Sequence, residues 1–458
     1  MKKMIFALLL MAGVTMGVKA AKVDKAVNIS VNGESRSYWL YVPSNVKENA
    51  PLVFSLHGTT GKKENKSPMR TDVADANGFI VVYPQGKEIY FPVFGGNATG
   101  WHSTGEDSED IDFFKAIIED VAKSYSIDRK RIYCCGFSNG GMMTYSNSCT
   151  MADVFAAFAS ISGFQLNEFH FHHTGIRPVP FLHIHGKADD FVKYSLMPTI
   201  VDQMVARNGA NPVPEKSGVK GKYDKSVYEA TEGGFPYIYY EIDGMGHNDF
   251  TSNTEDGSSA KTMWKFLSQY TLDSPCDATM KWRPNLETEG FAPKEHGWTY
   301  TTRIMMYGDN PDDSEKNIQN VYHAFQLAKG NYKLCFKTQS DSEGEVTVTI
   351  KKWTGDKKRV LNETVKVGED AMMVFTVDDD FAECRFSMNA TVAIKVTDLG
   401  LYSATDEEVA KLQALQASAS EGSKPVAFYS LSGIRSNAPQ RGVNIVQTES
   451  GKMKKVLF

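Results

Sequence analysis

The sequence predicts an α/β domain with a doubly wound parallel sheet, followed by an all-β, jelly-roll-like sandwich and a small C-terminal β segment. Two observations support this prediction. From about residue 27 to 272, short β-rich runs alternate with helical patterns. From about residue 274 to 402 the helical patterns disappear, and alternating strands are separated by turn residues. A chain of 458 residues is also too long for one ordinary core.

The first twenty residues have the pattern of a secretory signal peptide. Lys2 and Lys3 precede an apolar run over residues 4–18, and Val18-Lys19-Ala20 fits a cleavage site. The run is short for a membrane span, which takes about 20 apolar residues. We therefore expect residues 1–20 to be removed and the mature chain to be secreted, with no membrane span. The net charge of −5 gives no basic face for a nucleic acid.

Residues 21–273 are assigned to the α/β domain. Its middle strands are apolar on both faces, as in a covered parallel sheet, and include PLVFSLHG, FIVVYPQG, RIYCCGFS, AAFASISG and PFLHIHG. Between them, DIDFFKAIIEDVAKSY places Phe113, Ile117, Val121 and Tyr125 on one helical face. SSAKTMWKFLSQY is predicted as the closing helix.

Gly136-Phe137-Ser138-Asn139-Gly140 lies between a buried strand and a helical stretch. A sharp strand-to-helix turn needs glycines and lifts a serine oxygen clear of the sheet. The helix N-terminus behind it favours the negative charge that develops in acyl transfer. The pattern therefore predicts Ser138 as a nucleophile.

A serine hydroxyl needs a base, and His247 follows the last predicted strand in the loop Gly244-Met245-Gly246. The third member of a Ser-Asp-His set is expected after PFLHIHG, where the sequence offers Asp189 and Asp190. The residues alone do not decide between these two neighbours.

The oxyanion needs two backbone donors, one of which is usually the residue after the serine, here Asn139. The loop His57-Gly58-Thr59-Thr60-Gly61 is predicted to supply the second, from Thr59, with Thr60 close behind. Thr60 is also a candidate substrate contact.

Aromatic residues from loops at the same sheet edge could form an acyl or sugar platform, or equally the core of the loops; they are Tyr90, Phe91, Phe94, Trp101, Phe164, Phe169 and Phe171. Trp101 and Phe164 are the candidate substrate contacts among them. His183 and His185 are predicted as core residues, and His170, His172 and His173 as part of a mobile loop. A metal site at His170, His172 and His173 is the alternative to the mobile loop, but nothing nearby offers a tetrahedral partner set. The cysteine spacings do not resemble a zinc site, and no cofactor is expected. Cys335 and Cys384 could pair.

With these residues assembled, the α/β domain resembles the family-one carbohydrate esterases and the related feruloyl esterases and polyhydroxybutyrate depolymerases, which are α/β-hydrolases. The resemblance rests on PLVFSLHG, YPQG, Trp101, YSIDRKRIYCCGFSNGGMM, FAAFASISG, HGKADDFVKY and GMGH. It implies Ser138, Asp189 and His247 as the catalytic triad. The chain departs from the family at Lys193, where proline is common, and around Met245 to Asn248, where tryptophan is frequent.

Residues 274–402 resemble a galactose-binding-like jelly roll, and residues 403–424 have the composition of a short polar helix and linker. Residues 425–458 resemble the C-terminal sorting domains of Bacteroidetes secreted proteins. That resemblance implies a Gram-negative, Bacteroidetes-like host and the outer-membrane secretion machinery as a partner.

Together these features predict a secreted serine esterase acting on plant cell-wall polysaccharide, with feruloylated arabinoxylan as the first substrate class and acetylated xylan as the second. A polyester depolymerase or a secreted serine peptidase of the same fold are further alternatives, as is a carbohydrate-binding protein with a vestigial hydrolase domain.

Overall fold

The fold is taken from a computed structural model of the chain. It describes residues 21–92, 95–103, 109–164, 174–284, 320–353, 355–392 and 394–420, and strand segments at 292–294, 297–299, 425–430, 435–436, 443–448 and 453–457. The expected signal peptide, Phe94, and the aromatic and histidine residues of segment 165–173 lie outside the described residues.

A ten-stranded mixed sheet forms the first domain, in the order β1-β2-β4-β3-β7-β8-β9-β12-β11-β10. Its strands are β1 (Val23–Val31), β2 (Glu34–Val42), β3 (Ala50–Leu56), β4 (Ile80–Pro84), β7 (Ile127–Phe137), β8 (Ala157–Ile161), β9 (Phe181–Gly186), β10 (Glu215–Val219), β11 (Tyr223–Tyr228) and β12 (Tyr237–Ile242). The six central strands are parallel, and two antiparallel strands stand at each edge. The prediction of an α/β-hydrolase fold is confirmed, and the sheet as a whole is mixed because antiparallel strands flank its parallel centre.

A separate two-stranded hairpin, β5 (Lys87–Phe91) and β6 (Gly96–Gly100), projects between β4 and the next helix. Most of its residues are exposed or half-buried, so the sequence here lacks the apolar run from which a buried strand can be predicted.

Helices cover both faces of the large sheet: α1 (Thr71–Asn77), α2 (Glu109–Ala122), α3 (Asn139–Thr150), α4 (Met197–Asn208) and α5 (Ser259–Leu267). Adjacent strand residues show the two faces, since Phe54 packs in one buried cluster with α2, α3 and α4, while Val53 packs in the other with α1 and α5. This explains why the central strands are apolar without alternation.

The second domain contains a six-stranded sheet in the order β13-β20-β16-β19-β17-β18, antiparallel at every pairing. Its strands are β13 (Met280–Trp282), β16 (Asn320–Gln339), β17 (Glu345–Lys352), β18 (Arg359–Lys366), β19 (Ala371–Ala390) and β20 (Lys395–Ala404). Short strands β14 (Ala292–Lys294) and β15 (Gly297–Thr299) form a separate pair. One sheet of the predicted sandwich is therefore seen.

Within this sheet, both cysteines that could have paired are free thiols: Cys335 faces Met372 across one strand pair and Cys384 faces Phe325. The disulfide considered between them is not formed. Trp282 is buried against Phe325, so its aromatic ring serves packing.

The two domains are joined through the chain that follows Cys276. The Arg283 N–H donates to the Ala206 carbonyl at 2.7 Å, and the Arg283 guanidinium donates to the Glu232 carbonyl at 2.6 Å. The first bond joins the start of the second domain to the C-terminal end of α4, and the second joins it to the loop before β12.

Beyond the second sheet, α6 (Asp406–Ser420) leads to a small four-stranded sheet in the order β22-β21-β23-β24. Its strands are β21 (Pro425–Ser430), β22 (Arg435–Ser436), β23 (Val443–Thr448) and β24 (Met453–Leu457). Across the part of the chain that the structure describes, no helix has the length and apolar character needed to cross a membrane.

Candidate active site

Ser138 occupies a sharp turn between the end of β7 and the start of α3. Its backbone has φ 52° and ψ −121°, a region that a side-chain-bearing residue rarely adopts. The turn is closed by backbone packing: a Cβ added at Gly136 would lie 2.1 Å from the Gly140 carbonyl oxygen, and one at Gly163 would lie 2.3 Å from the Ser138 carbonyl oxygen. Only glycine fits these two positions, so the turn needs its glycines as the sequence motif predicts.

The Ser138 hydroxyl, the His247 imidazole and the Asp189 carboxylate form one hydrogen-bonded chain. Ser138 Oγ lies 2.8 Å from His247 Nε2, and His247 Nδ1 lies 2.9 Å from Asp189 Oδ2. A carboxylate only accepts, so Nδ1 carries the proton and Nε2 is left to accept from the serine. The structure thus brings together all three residues predicted for the triad.

Asp189 is buried and Asp190 is exposed, which separates the two neighbours that the sequence left open. The second oxygen of Asp189, Oδ1, accepts the backbone N–H groups of Phe191 at 3.1 Å and Val192 at 2.9 Å. Burial opposes ionisation of Asp189, but the bonds from His247 and Val192 outweigh it and lower the pKa of this carboxyl. The carboxylate is therefore held charged beside the imidazole.

The loop after β3 lies directly against the nucleophile, because a Cβ added at Gly58 would lie 3.1 Å from Ser138 Cβ. In this loop the Thr60 N–H donates to the Thr99 carbonyl at 2.8 Å and is occupied. No hydrogen bond from the Thr59 N–H is found among the described residues. Of the two threonines, Thr59 is therefore the one whose amide has no hydrogen bond within the described residues. Asn139 stands in the first turn of α3, where a backbone N–H has no partner inside the helix.

Trp101 is buried and does not face the surface. Its indole Nε1–H donates to the His57 carbonyl at 2.8 Å, and its exposed fraction is 1%. Phe164 is buried as well, and the centroid of its ring lies 5.7 Å from that of the His185 ring. The sequence left open whether these two aromatics contact substrate or form the core of the loops. Their burial favours the core of the loops, whereas Thr60, the third candidate contact, is exposed.

The loop that carries Trp101 is held from below by a buried ion pair. Arg36 Nη2 lies 2.7 Å from Asp110 Oδ1, and Asp110 Oδ2 accepts the His102 N–H at 3.0 Å. Local sequence patterns do not indicate this ion pair, because Arg36 lies 74 residues from Asp110 in the chain.

Of two aromatic side chains at the site, Phe91 is half-buried and is among the predicted platform residues, whereas Phe191 is exposed and was not predicted. Phe191 is 54% exposed and its ring lies 4.9 Å from that of His247. Phe91, at the end of β5, reaches the position that a Cβ on Gly100 would take, next to the Asn139 side chain. Phe191 follows the Asp189-Asp190 pair directly, which was the one available signal.

No three His, Cys, Asp or Glu side chains come together as a metal-binding group within the described parts of the chain. The site is built from a hydroxyl, an imidazole, a carboxylate and backbone amides. That set is suited to acyl transfer through a serine ester.

Comparison with known proteins gives relatives for the first domain. Residues 40–211 match the family described as Phospholipase/Carboxylesterase. A bifunctional acetylxylan esterase/xylanase of Neocallimastix patriciarum is 32% identical over 263 residues, covering 54% of this chain and 35% of the relative. Feruloyl esterase D of Neurospora crassa is 28% identical over 256 residues, covering 54% of this chain and 86% of the relative. The chain thus spans about a third of the first relative and most of the second.

Among solved structures, an acetyl xylan esterase from Aspergillus awamori is similar, with 17% identity, a TM-score of 0.41, and coverage of 53% of this chain and 99% of that one. The sheet order and the strand-turn-helix at Ser138 have the arrangement of an α/β-hydrolase, and the sequence relatives of the first domain are named as esterases. The relatives are named feruloyl esterase and acetylxylan esterase/xylanase, in agreement with the prediction of this kind of enzyme.

Proposed function

We propose that this chain hydrolyses acyl esters on plant cell-wall xylan through a covalent Ser138 ester, with feruloyl groups as the first substrate class. The observation that carries the proposal is the unbroken hydrogen-bonded chain from Ser138 Oγ through His247 to Asp189. No cofactor takes part in the proposed reaction.

In this mechanism, His247 Nε2 takes the proton of the Ser138 hydroxyl as its oxygen attacks the ester carbonyl carbon. Asp189 accepts the Nδ1–H and stabilises the imidazolium that forms. The negative charge on the carbonyl oxygen is stabilised by the N–H groups of Thr59 and Asn139. When the tetrahedral intermediate collapses, the sugar alcohol leaves with the proton from His247. Water then gives a proton to His247 and attacks the acyl ester, and the Ser138 oxygen leaves with that proton as the acid is released.

Feruloyl esters are placed first because the relatives include several feruloyl esterases and because an exposed aromatic ring, Phe191, stands beside His247. An aromatic acyl group can pack against such a ring. Acetylated xylan is the second candidate, favoured by the identity to the acetylxylan esterase/xylanase.

The test uses the purified full chain with methyl ferulate and with acetylated xylooligosaccharides, beside Ser138→Ala. Removing the nucleophile is expected to lower kcat by several orders of magnitude. Ser124→Ala, at an exposed serine before β7, is the matched control and should retain full activity. Turnover of ferulate supports the feruloyl assignment, turnover of the acetyl substrate alone supports the second, and equal rates in Ser138→Ala would overturn the proposed mechanism.

We also propose that the chain is exported, with residues 1–20 as the signal and residues 425–458 as the segment that the outer-membrane secretion machinery reads. The support is the pattern of basic, apolar and small residues at the start and the resemblance of the end to sorting domains. Deleting residues 425–458 should leave esterase activity inside a host that otherwise delivers it to the medium.

A further inference from the structure

Behind the proposed triad, two buried histidines on β9 belong to a hydrogen-bonded chain that the mechanism does not use. His183 and His185 are fully buried, and their rings stack with centroids 5.3 Å apart. His183 Nε2 lies 3.0 Å from His185 Nδ1, and His185 Nε2 lies 2.8 Å from the Val192 carbonyl oxygen. The chain therefore ends in the loop that holds Asp189.

At its other end the chain reaches the helix that follows the nucleophile. The Tyr145 hydroxyl, on α3, lies 2.9 Å from His183 Nδ1 and 2.9 Å from the Tyr237 hydroxyl on β12. The chain thus links the Ser138 helix, two central strands and the Asp189 loop through side chains that are all buried.

The direction of every proton in this chain follows from its last bond. The Val192 carbonyl can only accept, so His185 Nε2 carries a proton and donates it. Burial lowers the pKa of both imidazoles, so each ring is neutral with one proton. His185 Nδ1 must then accept from His183 Nε2–H, and His183 Nδ1 must accept from the Tyr145 hydroxyl.

All the donors consequently point toward the Asp189 loop. His185 Nε2, the last of them, also lies 3.6 Å from Asp189 Oδ2, the oxygen that receives His247. Its N–H dipole therefore presents its positive end to the carboxylate. In addition, the bond to the Val192 carbonyl fixes the residue whose own N–H binds Asp189 Oδ1.

We propose that His185, supported by His183 and Tyr145, is a positioning residue for the triad. Its bond to the Val192 carbonyl holds the Asp189 carboxylate in position, and its N–H dipole favours the ionised form of that carboxylate. The proposal rests on the catalytic roles proposed above for Asp189 and His247. It assigns the buried histidines a task in the reaction, whereas side chains that only fill the core would be replaceable by apolar ones of similar volume.

The experiment compares His185→Leu, His185→Gln and Tyr145→Phe with the wild type in hydrolysis of p-nitrophenyl acetate. His185→Leu removes the donor to Val192 and is expected to lower kcat about tenfold to a hundredfold with KM unchanged, as expected for loss of a hydrogen bond next to a charged group. His185→Gln keeps an N–H donor and should recover most of that loss. Tyr145→Phe breaks the chain two bonds further back and should give a smaller loss in kcat.

Tyr239→Phe is the matched control for Tyr145→Phe. Its ring lies 5.9 Å from that of His183, but its buried hydroxyl has no hydrogen-bond partner among the described residues. Removing that hydroxyl should leave kcat unchanged. The proposal is overturned if His185→Leu loses no more kcat than Tyr239→Phe, or if His185→Gln is as impaired as His185→Leu.

A second readout does not depend on turnover. The His247 Nδ1 proton bound to Asp189 should give a far-downfield proton resonance in the wild type, and this signal should move or disappear in His185→Leu and persist in Tyr239→Phe. If the wild type hydrolyses no ester but the resonance is still lost or shifted in His185→Leu, the proposed function is wrong and the positioning of Asp189 by His185 is supported. If His185→Leu does not fold, His185→Gln and Tyr145→Phe decide the question by the same two readouts.

Discussion

Both polar atoms of the Asn139 side-chain amide are hydrogen-bonded to the backbone of Trp101. Asn139 Oδ1 accepts the Trp101 N–H at 2.7 Å, and Asn139 Nδ2 donates to the Trp101 carbonyl at 3.4 Å. Trp101 in turn donates to the His57 carbonyl. The residue after the nucleophile is thereby joined, through a buried tryptophan, to the loop that carries Thr59, so one network holds both proposed oxyanion donors.

Removing a single amide proton tests this arrangement. Thr59→Pro deletes the N–H proposed to bind the oxyanion and should lower kcat by about a hundredfold or more. Thr59→Ala keeps the N–H and should retain most of the activity. Steady-state rates on p-nitrophenyl acetate, with thermal unfolding to verify folding, measure both. Similar rates for the two variants would assign the second donor elsewhere.

The two adjacent aspartates after β9 are expected to differ sharply in catalysis. Asp189→Asn keeps the shape but loses the charge and favours the wrong imidazole tautomer, so kcat should fall by about 10³- to 10⁴-fold. Asp190→Asn, at the exposed neighbour, should be close to wild type. The comparison is read in kcat for ester hydrolysis. Equal losses would argue against Asp189 as the partner of His247.

Glycine at position 136 is expected to be required for folding as well as for activity. Gly136→Ala would place a methyl group 2.1 Å from the Gly140 carbonyl oxygen, where backbone must move, at a cost of about 3 kcal/mol or more. Gly96→Ala, in the β5–β6 hairpin, meets nothing within 4 Å and should be neutral. Denaturant unfolding monitored by circular dichroism gives the two free energies; a stable Gly136→Ala variant would contradict the described turn.

The Arg36–Asp110 pair predicts an acid-sensitive component of stability. Burial opposes ionisation of Asp110, yet the bonds from His102 and Arg36 lower the pKa of this carboxyl. A carboxyl with a lowered folded-state pKa stabilises the fold above its unfolded-state pKa of about 3.9, and this stabilisation is lost as pH falls through the folded-state value.

Asp110→Asn should therefore cost about 3–5 kcal/mol at neutral pH and flatten the loss of stability on acidification. Asp112→Asn, an exposed carboxylate on the same helix, is the control and should cost far less. Thermal unfolding across pH 3–7 measures both variants, and an unchanged acid limb in Asp110→Asn would show that another group causes it.

Phe191 is expected to affect the choice of acyl group. Phe191→Ala removes the exposed ring beside His247 and should lower kcat/KM for methyl ferulate several-fold more than for p-nitrophenyl acetate, because only the larger acyl group can pack on the ring. Met372→Ala, at an exposed apolar residue of the second sheet, should change neither rate. Equal losses on both esters would place Phe191 outside acyl recognition.

Local patterns in the sequence were sufficient to predict the central strands, the turn at Ser138 and the positions of Ser138 and His247. Apolar runs such as those of β3 and β4 are typical of strands covered on both faces, and the glycines around Ser138 are required by backbone contact. The choice between Asp189 and Asp190 from the residues alone, by contrast, depends on which side chain turns inward, and adjacent identical residues carry no local signal for that.

The remaining differences have the same origin. Strand β10 is exposed along its whole length, and β5 alternates between half-buried and exposed residues, so neither has the apolar pattern of a buried strand. Trp101 and Phe164 have the same composition signal whether they lie on a surface or beneath it, and only the tertiary contacts with His57 and His185 decide. His183 and His185 were predicted as buried, but their proton directions depend on the carbonyl of Val192.

The glycine contacts around Ser138 have a consequence for how this enzyme can diversify. Backbone atoms pack directly against Gly136, Gly140 and Gly163, so a side chain at any of these positions would displace the main chain of the turn. Phe191, in contrast, is 54% exposed and contacts the site only through its ring beside His247. Substitutions at Phe191 can therefore change the preferred substrate while the glycines that shape the turn around Ser138 stay the same.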